Sequence, residues 1–121
     1  MKYVYYNPVE GHGGCIYRSI AKSLNKSYNE VKEELDLLEK SLNTDNKQEV
    51  FEKYLLMYNY IFDDSMNSSK LLENSYTGNN IIFAYYNDWY HMICIIDNVL
   101  FDKYDEDKLK DLTIIRTYKK K

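Results

Sequence analysis

Gly13-Gly14-Cys15-Ile16-Tyr17-Arg18-Ser19-Ile20-Ala21 is the stretch on which the fold turns. Two glycines end it on one side, and from Cys15 onward Ile16, Ile20 and Leu24 recur at every fourth position with Tyr17 and Ala21 beside them. That spacing is the apolar stripe of an amphipathic helix, so the change of pattern predicts a helix opening at Cys15. A thiol at a helix N-terminus faces unpaired N–H groups and the positive end of the helix dipole, both of which stabilise its thiolate. Gly13 and Gly14 leave backbone room for a substrate carbonyl, and the Cys15 amide can donate to a developing oxyanion.

Outward from this stretch, Tyr3, Val4, Tyr5 and Tyr6 give way to loop signals at Asn7-Pro8 and at Gly11-His12-Gly13-Gly14. After Asn25-Lys26, Ser27 and Glu30 form a capping box ahead of Val31, Leu35, Leu38 and Leu42, which predicts a second helix. Asp45 with Gln48 predicts the start of a third, carrying Val50, Phe51, Tyr54, Leu55 and Tyr58 and ending near Asn59. Residues 63–80, rich in Ser and Asn, read as loop with one helical turn around Ser69 to Leu72. Beyond them lie four β-branched and aromatic runs, Ile81 to Tyr86, Tyr90 to Ile96, Val99 to Tyr104 and Thr113 to Tyr118. Helices first and strands second define an α+β class: N-terminal helices carrying Cys15, packed on a C-terminal antiparallel sheet of about three or four strands. Residues 1–121 fit a single domain, and with 45% hydrophobic residues it can bury a core without disulfides.

Met92 to Ile96 is apolar throughout, which predicts a strand covered on both faces, one of them by the helix that opens at Cys15. His91 heads that strand. Asp97-Asn98 has the composition of a two-residue hairpin turn, and such a turn sets Ile93 opposite Asp102 and His91 opposite Tyr104. His91 and Asp102 then become diagonal neighbours on one face. Cys15, His91 and Asp102 therefore fill the roles of nucleophile, base and orienting carboxylate in covalent acyl transfer.

Asn7-Pro8, Gly14 to Ala21, Lys26-Ser27-Tyr28-Asn29-Glu30-Val31, and His91 to Asp105, in that order, resemble small phage-encoded cysteine-protease-like proteins. That family looks like a minimal papain-like fold. It is related in plan to the leader peptidases of bacteriocin exporters and to ovarian-tumour-type deubiquitinases, whose nucleophile block also resembles Gly-Gly-Cys-Ile-Tyr-Arg. The resemblance implies catalytic roles for Cys15, His91 and Asp102, and Asn7 as an oxyanion-hole amide. Two positions depart from the pattern: the acidic residue usual before the cysteine is Gly14 here, and the tryptophan expected two positions after Asp102 is Tyr104.

Other features exclude classes of function. Sixteen Lys and Arg against nineteen Asp and Glu give a net charge of −3, so no broad basic face exists for nucleic acid. The Lys119-Lys120-Lys121 run reads as a solvated tail. No apolar stretch reaches membrane-span length and no signal-like block follows Met1, which points to a cytoplasmic protein, in the host cell if phage-encoded. Two histidines and two cysteines so dispersed show no metal-ligand spacing, and no cofactor is implied. Cys94, among isoleucines, reads as core, His12 as loop surface, Asp97 as a turn residue and Asp105 as a reserve carboxylate. Trp89 and Tyr90 are placed to shield the His91–Asp102 bond. The partner is then a protein or peptide substrate. A rival reading is a papain-like binding module that blocks a host defence protein without catalysis, with the tyrosines Tyr3, Tyr5, Tyr6, Tyr85 and Tyr86 as a recognition surface.

Overall fold

The computed structural model describes residues 1–8 and 14–121; Gly11, His12 and Gly13 lie outside the described residues. Helix α1 runs Cys15–Leu24, α2 Tyr28–Leu42, α3 Lys47–Met57 and α4 Glu106–Leu109. The strands are β1 Lys2–Tyr5, β2 Tyr60–Asp63, β3 Asn79–Tyr86, β4 Trp89–Ile96, β5 Val99–Asp102 and β6 Thr113–Lys120. Local chemistry accounts for most of these limits. Ser27 caps α2 by accepting from the Glu30 amide at 3.1 Å, and Asn25 and Asn43 end α1 and α2 in the left-handed conformation that asparagine tolerates. The cap of α3 is Asn46, accepting from Glu49 N–H, one residue beyond the expected Asp45 and Gln48. Thr44 Oγ1 meanwhile accepts from the Asn46 amide and fixes the approach.

The six strands form one sheet in the order β1-β5-β4-β3-β6-β2. This corrects the expectation of an antiparallel sheet of three or four C-terminal strands. β1 joins the edge in parallel with β5, and β2, from the chain just after α3, pairs with β6 at the other edge. The Lys119-Lys120 segment belongs to β6 and is not a tail: Lys119 stands opposite Ile61, and its Nζ donates to the Thr77 carbonyl. Residues 64–78 follow the expected loop reading, with a single 3-10 turn at Leu71–Glu73.

Two cores sandwich the sheet. Helices α1 to α3 cover one face, where Ile20, Phe51 and Tyr54 meet Ile81, Met92 and Tyr118. The 3-10 turn, Tyr76 and the segment around α4 cover the other, where Leu71, Leu109 and Leu112 meet Ile82, Ile93 and Ile95. Met92 to Ile95 of β4 are thus buried because both faces of the strand are covered there, as the apolar run predicts.

The β4–β5 hairpin sets the site. Asp97 and Asn98 both have positive φ, 48° and 63°, the conformation of a tight hairpin turn that matches strand twist. The pairing runs Ile96 to Val99, Ile95 to Leu100 and Cys94 to Phe101, then stops. β4 continues to Trp89 and β5 to Asp102 without further bonds to each other. Backbone groups of β4 beyond Cys94 therefore need other partners on that side, and α1 supplies them.

Candidate active site

The first turns of α1 take the place of the missing strand partner. Ser19 Oγ donates to the Met92 carbonyl at 2.8 Å, and the Met92 amide helps lower the pKa of the Cys15 thiol. Gly14 caps the helix with φ 77°. A β-carbon on Gly14 would meet the tip of the Tyr28 side chain, which must shift, and the φ of 77° strains any residue with a side chain. Both favour glycine over an acidic residue before Cys15.

Cys15 is half-buried and lines one cavity together with His91, close enough that each group shifts the ionisation of the other. His91 is 1% exposed, and its Nε2 lies 2.8 Å from Asp102 Oδ2, which leaves Nδ1 for the thiol. The hairpin keeps the expected register as far as Cys94 and Phe101, and His91 and Asp102 meet just beyond the paired stretch. Burial pushes the thiol pKa up, but the hydrogen bond and charge of His91, the Met92 amide and the charge of Arg18 outweigh it and hold Cys15 below its ordinary value. Burial likewise pushes the imidazole down, and the bonds to Asp102 and Cys15 overcome this and raise it above its ordinary value. The two shifts favour the thiolate–imidazolium pair. No acidic residue occupies the first turn of α1, so its dipole is left for the sulfur.

Sequence reasoning left Arg18 without a role. Its Nη2 donates to Asp102 Oδ1 at 3.2 Å, across 84 residues of chain, with both side chains inside the protein. Asp102 also accepts from the Tyr104 amide at 3.3 Å. One carboxylate thus holds the imidazole with one oxygen and the guanidinium with the other. The signal in sequence was absent: Arg18 lies off the Ile16, Ile20 and Leu24 stripe, at a position where a charged residue reads as solvated surface, and only the structure shows it buried.

Trp89 stacks on the His91 ring at 4.6 Å between centroids, and Tyr104 stands edge-on to both rings at 5.4 Å. Indole and phenol together keep water from the His91–Asp102 bond, so the position expected to carry tryptophan works as an edge-on tyrosine beside Trp89. Tyr90 does not join this shield. It is 58% exposed and stacks instead on Phe83 and Tyr85.

Asn7 is half-buried just past β1, next to Tyr6, whose amide donates to the Asp102 carbonyl at 2.9 Å. Asp105 caps α4 by accepting from Lys108 N–H, which accounts for it without chemistry. Asp97 Oδ1 accepts from the Gly78 amide within the hairpin turn. Cys94 is fully buried, and burial pushes its thiol up to about 12, so it is inert beside Cys15. Two cavities flank Cys15 among the described residues. One, of about 200 Å³, is lined by Arg18, Trp89, Tyr90, His91, Lys103 and Tyr104. The other, of about 190 Å³, opens between α1, α2 and α3. No group of metal-binding side chains occurs among the described residues, and no helix there is long and apolar enough to cross a membrane.

Compared with known proteins, the chain matches no family model, no curated sequence and no solved structure.

Proposed function

We propose that this protein is a thiol-dependent hydrolase that cleaves a peptide or isopeptide bond through Cys15, His91 and Asp102, on a papain-like plan of the phage-encoded type. The observation that carries the reading is that Cys15 and His91 line one cavity while His91 Nε2 is held 2.8 Å from Asp102 Oδ2. His91 takes the thiol proton, and the thiolate adds to the substrate carbonyl. The Cys15 amide, at the start of α1, and the Asn7 side chain receive the oxyanion. The imidazolium then protonates the departing amine as the C–N bond breaks. Water, deprotonated by His91, hydrolyses the thioester and frees the thiol.

The test has two arms. Iodoacetamide should alkylate Cys15 at an appreciable rate well below the usual thiol pKa of about 8.5, and His91→Gln should move that profile up toward an ordinary thiol. Incubation with a proteome-derived peptide library, read by mass spectrometry, should yield new termini that vanish in Cys15→Ala and in His91→Gln. A Cys15 that alkylates like a free thiol, with no Cys15-dependent cleavage, overturns the proposal.

The second reading is a binding module that inhibits a host defence protein. Its support is the exposed tyrosines Tyr5, Tyr85, Tyr86 and Tyr90, large contact groups that cost little conformational entropy. Under it, Cys15→Ala retains the inhibitory phenotype.

A further inference from the structure

The cavity between α1, α2 and α3 has Cys15 in its lining, but not His91. Its inner residues are Leu35, Val50 and Phe51, at 3%, 3% and 1% exposure, and Ile16 and Tyr17 line it from α1. The polar residues of the lining are already engaged. Lys47 Nζ donates to Glu39 at 2.6 Å, while Asp36 accepts from Tyr17 Oη at 3.1 Å and from Lys32 Nζ at 2.8 Å. No charge is left over to attract an acidic or basic group, and the remaining surface rewards apolar contact.

Volume narrows the occupant. A dry apolar cavity of about 150 Å³ accepts a benzene ring, whereas pockets for whole small molecules run from about 300 Å³ upward. At about 190 Å³ this one suits a single side chain. Resting on the hydrolase reading above, we infer that the cavity is the subsite for one aliphatic or aromatic side chain of the substrate, on a residue flanking the bond that Cys15 attacks. Charged residues at that position are rejected, because the cavity has no partner to offer them once they leave water.

The inference is tested with thiol reagents, so that it does not depend on turnover. The probes are iodoacetamide and N-phenethyl-iodoacetamide, each transferring its carbon to sulfur with loss of iodide. The ratio of their rates is measured on Cys15 and normalised to the same ratio on glutathione. Filling an apolar subsite gives discrimination on the order of 10- to 100-fold, so the phenethyl reagent should gain by about that factor. Val50→Phe fills the cavity and should bring the ratio back toward that of glutathione. Val50→Ile, one methylene larger, should lower the ratio by a smaller amount and keeps the test available where the phenyl ring overpacks the core. A normalised ratio near one, or a raised ratio that neither substitution lowers, overturns the subsite. The pH profile with unsubstituted iodoacetamide reports the Cys15–His91 pair alone, so a failure of the hydrolase reading shows there and leaves the ratio untouched.

Discussion

Replacing Asp102 by asparagine preserves the shape of the side chain and deletes its charge. Asp102 has a side-chain exposure of 0% and its partner Arg18 one of 3%, so the guanidinium left behind has neither an anion nor water to neutralise it. Removing one partner from a buried ion pair costs about 3–5 kcal/mol. Because the asparagine oxygen still accepts a hydrogen bond, the lower end applies, about 3 kcal/mol. For a chain of 121 residues, whose total stability is expected at roughly 6–18 kcal/mol, that is a large fraction, and it lowers the melting temperature by roughly 10–15 °C. The companion change Arg18→Met removes the stranded cation. The double variant should therefore recover most of the loss, with a coupling energy of about 2 kcal/mol. Urea denaturation of the four proteins, followed by circular dichroism, measures that coupling directly. Alkylation of Cys15 provides an independent readout: the double variant should be stable yet slow to react, because His91 has lost the carboxylate that orients it. Additive effects within a few tenths of a kcal/mol would refute the reasoning, since they would mean that Arg18 and Asp102 do not neutralise one another.

Two further outcomes follow from neighbouring contacts. Gly14→Ala must adopt φ 77° and meet the Tyr28 ring, so it should lose about 1–3 kcal/mol; adding Tyr28→Ala should relieve the collision, seen as less destabilisation relative to Tyr28→Ala alone, and leave the backbone strain of about 1 kcal/mol. Trp89, the single tryptophan of the chain, lies flat on His91, and an imidazolium quenches indole emission. Because the His91 pKa is raised, emission should fall as pH is lowered through a midpoint above about 6.5, the ordinary histidine value, and the step should vanish in His91→Gln; a wild-type midpoint at or below that value would contradict the assigned pair.

Much of this site is legible in the chain because its parts obey short-range rules. The four-residue spacing after Cys15 marks the helix start, and the Asp97-Asn98 turn fixes the pairing just beyond which Asp102 meets His91. Other features depend on distant segments and leave little local trace. β2 spans four residues directly behind α3, too short a run beyond the helix end near Asn59 to announce a strand on its own. β1 is held by parallel pairing with β5, a partner no local pattern announces. The α3 cap shifted by one residue because Thr44, Asp45 and Asn46 are all competent cappers, and only the packed helix selects among them. Arg18 lies off the apolar stripe of α1 and reads as surface, because its partner lies 84 residues away.

The strand order also governs when the nucleophile meets its base. Cys15 is made early, whereas β3 lies between β4 and β6, and β6 is synthesised after every other element. At ribosomal rates of about 5–20 residues per second, the sulfur waits on the order of ten seconds before the central sheet can close around the imidazole. During that interval Cys15 has no packed imidazole beside it and behaves as an ordinary thiol.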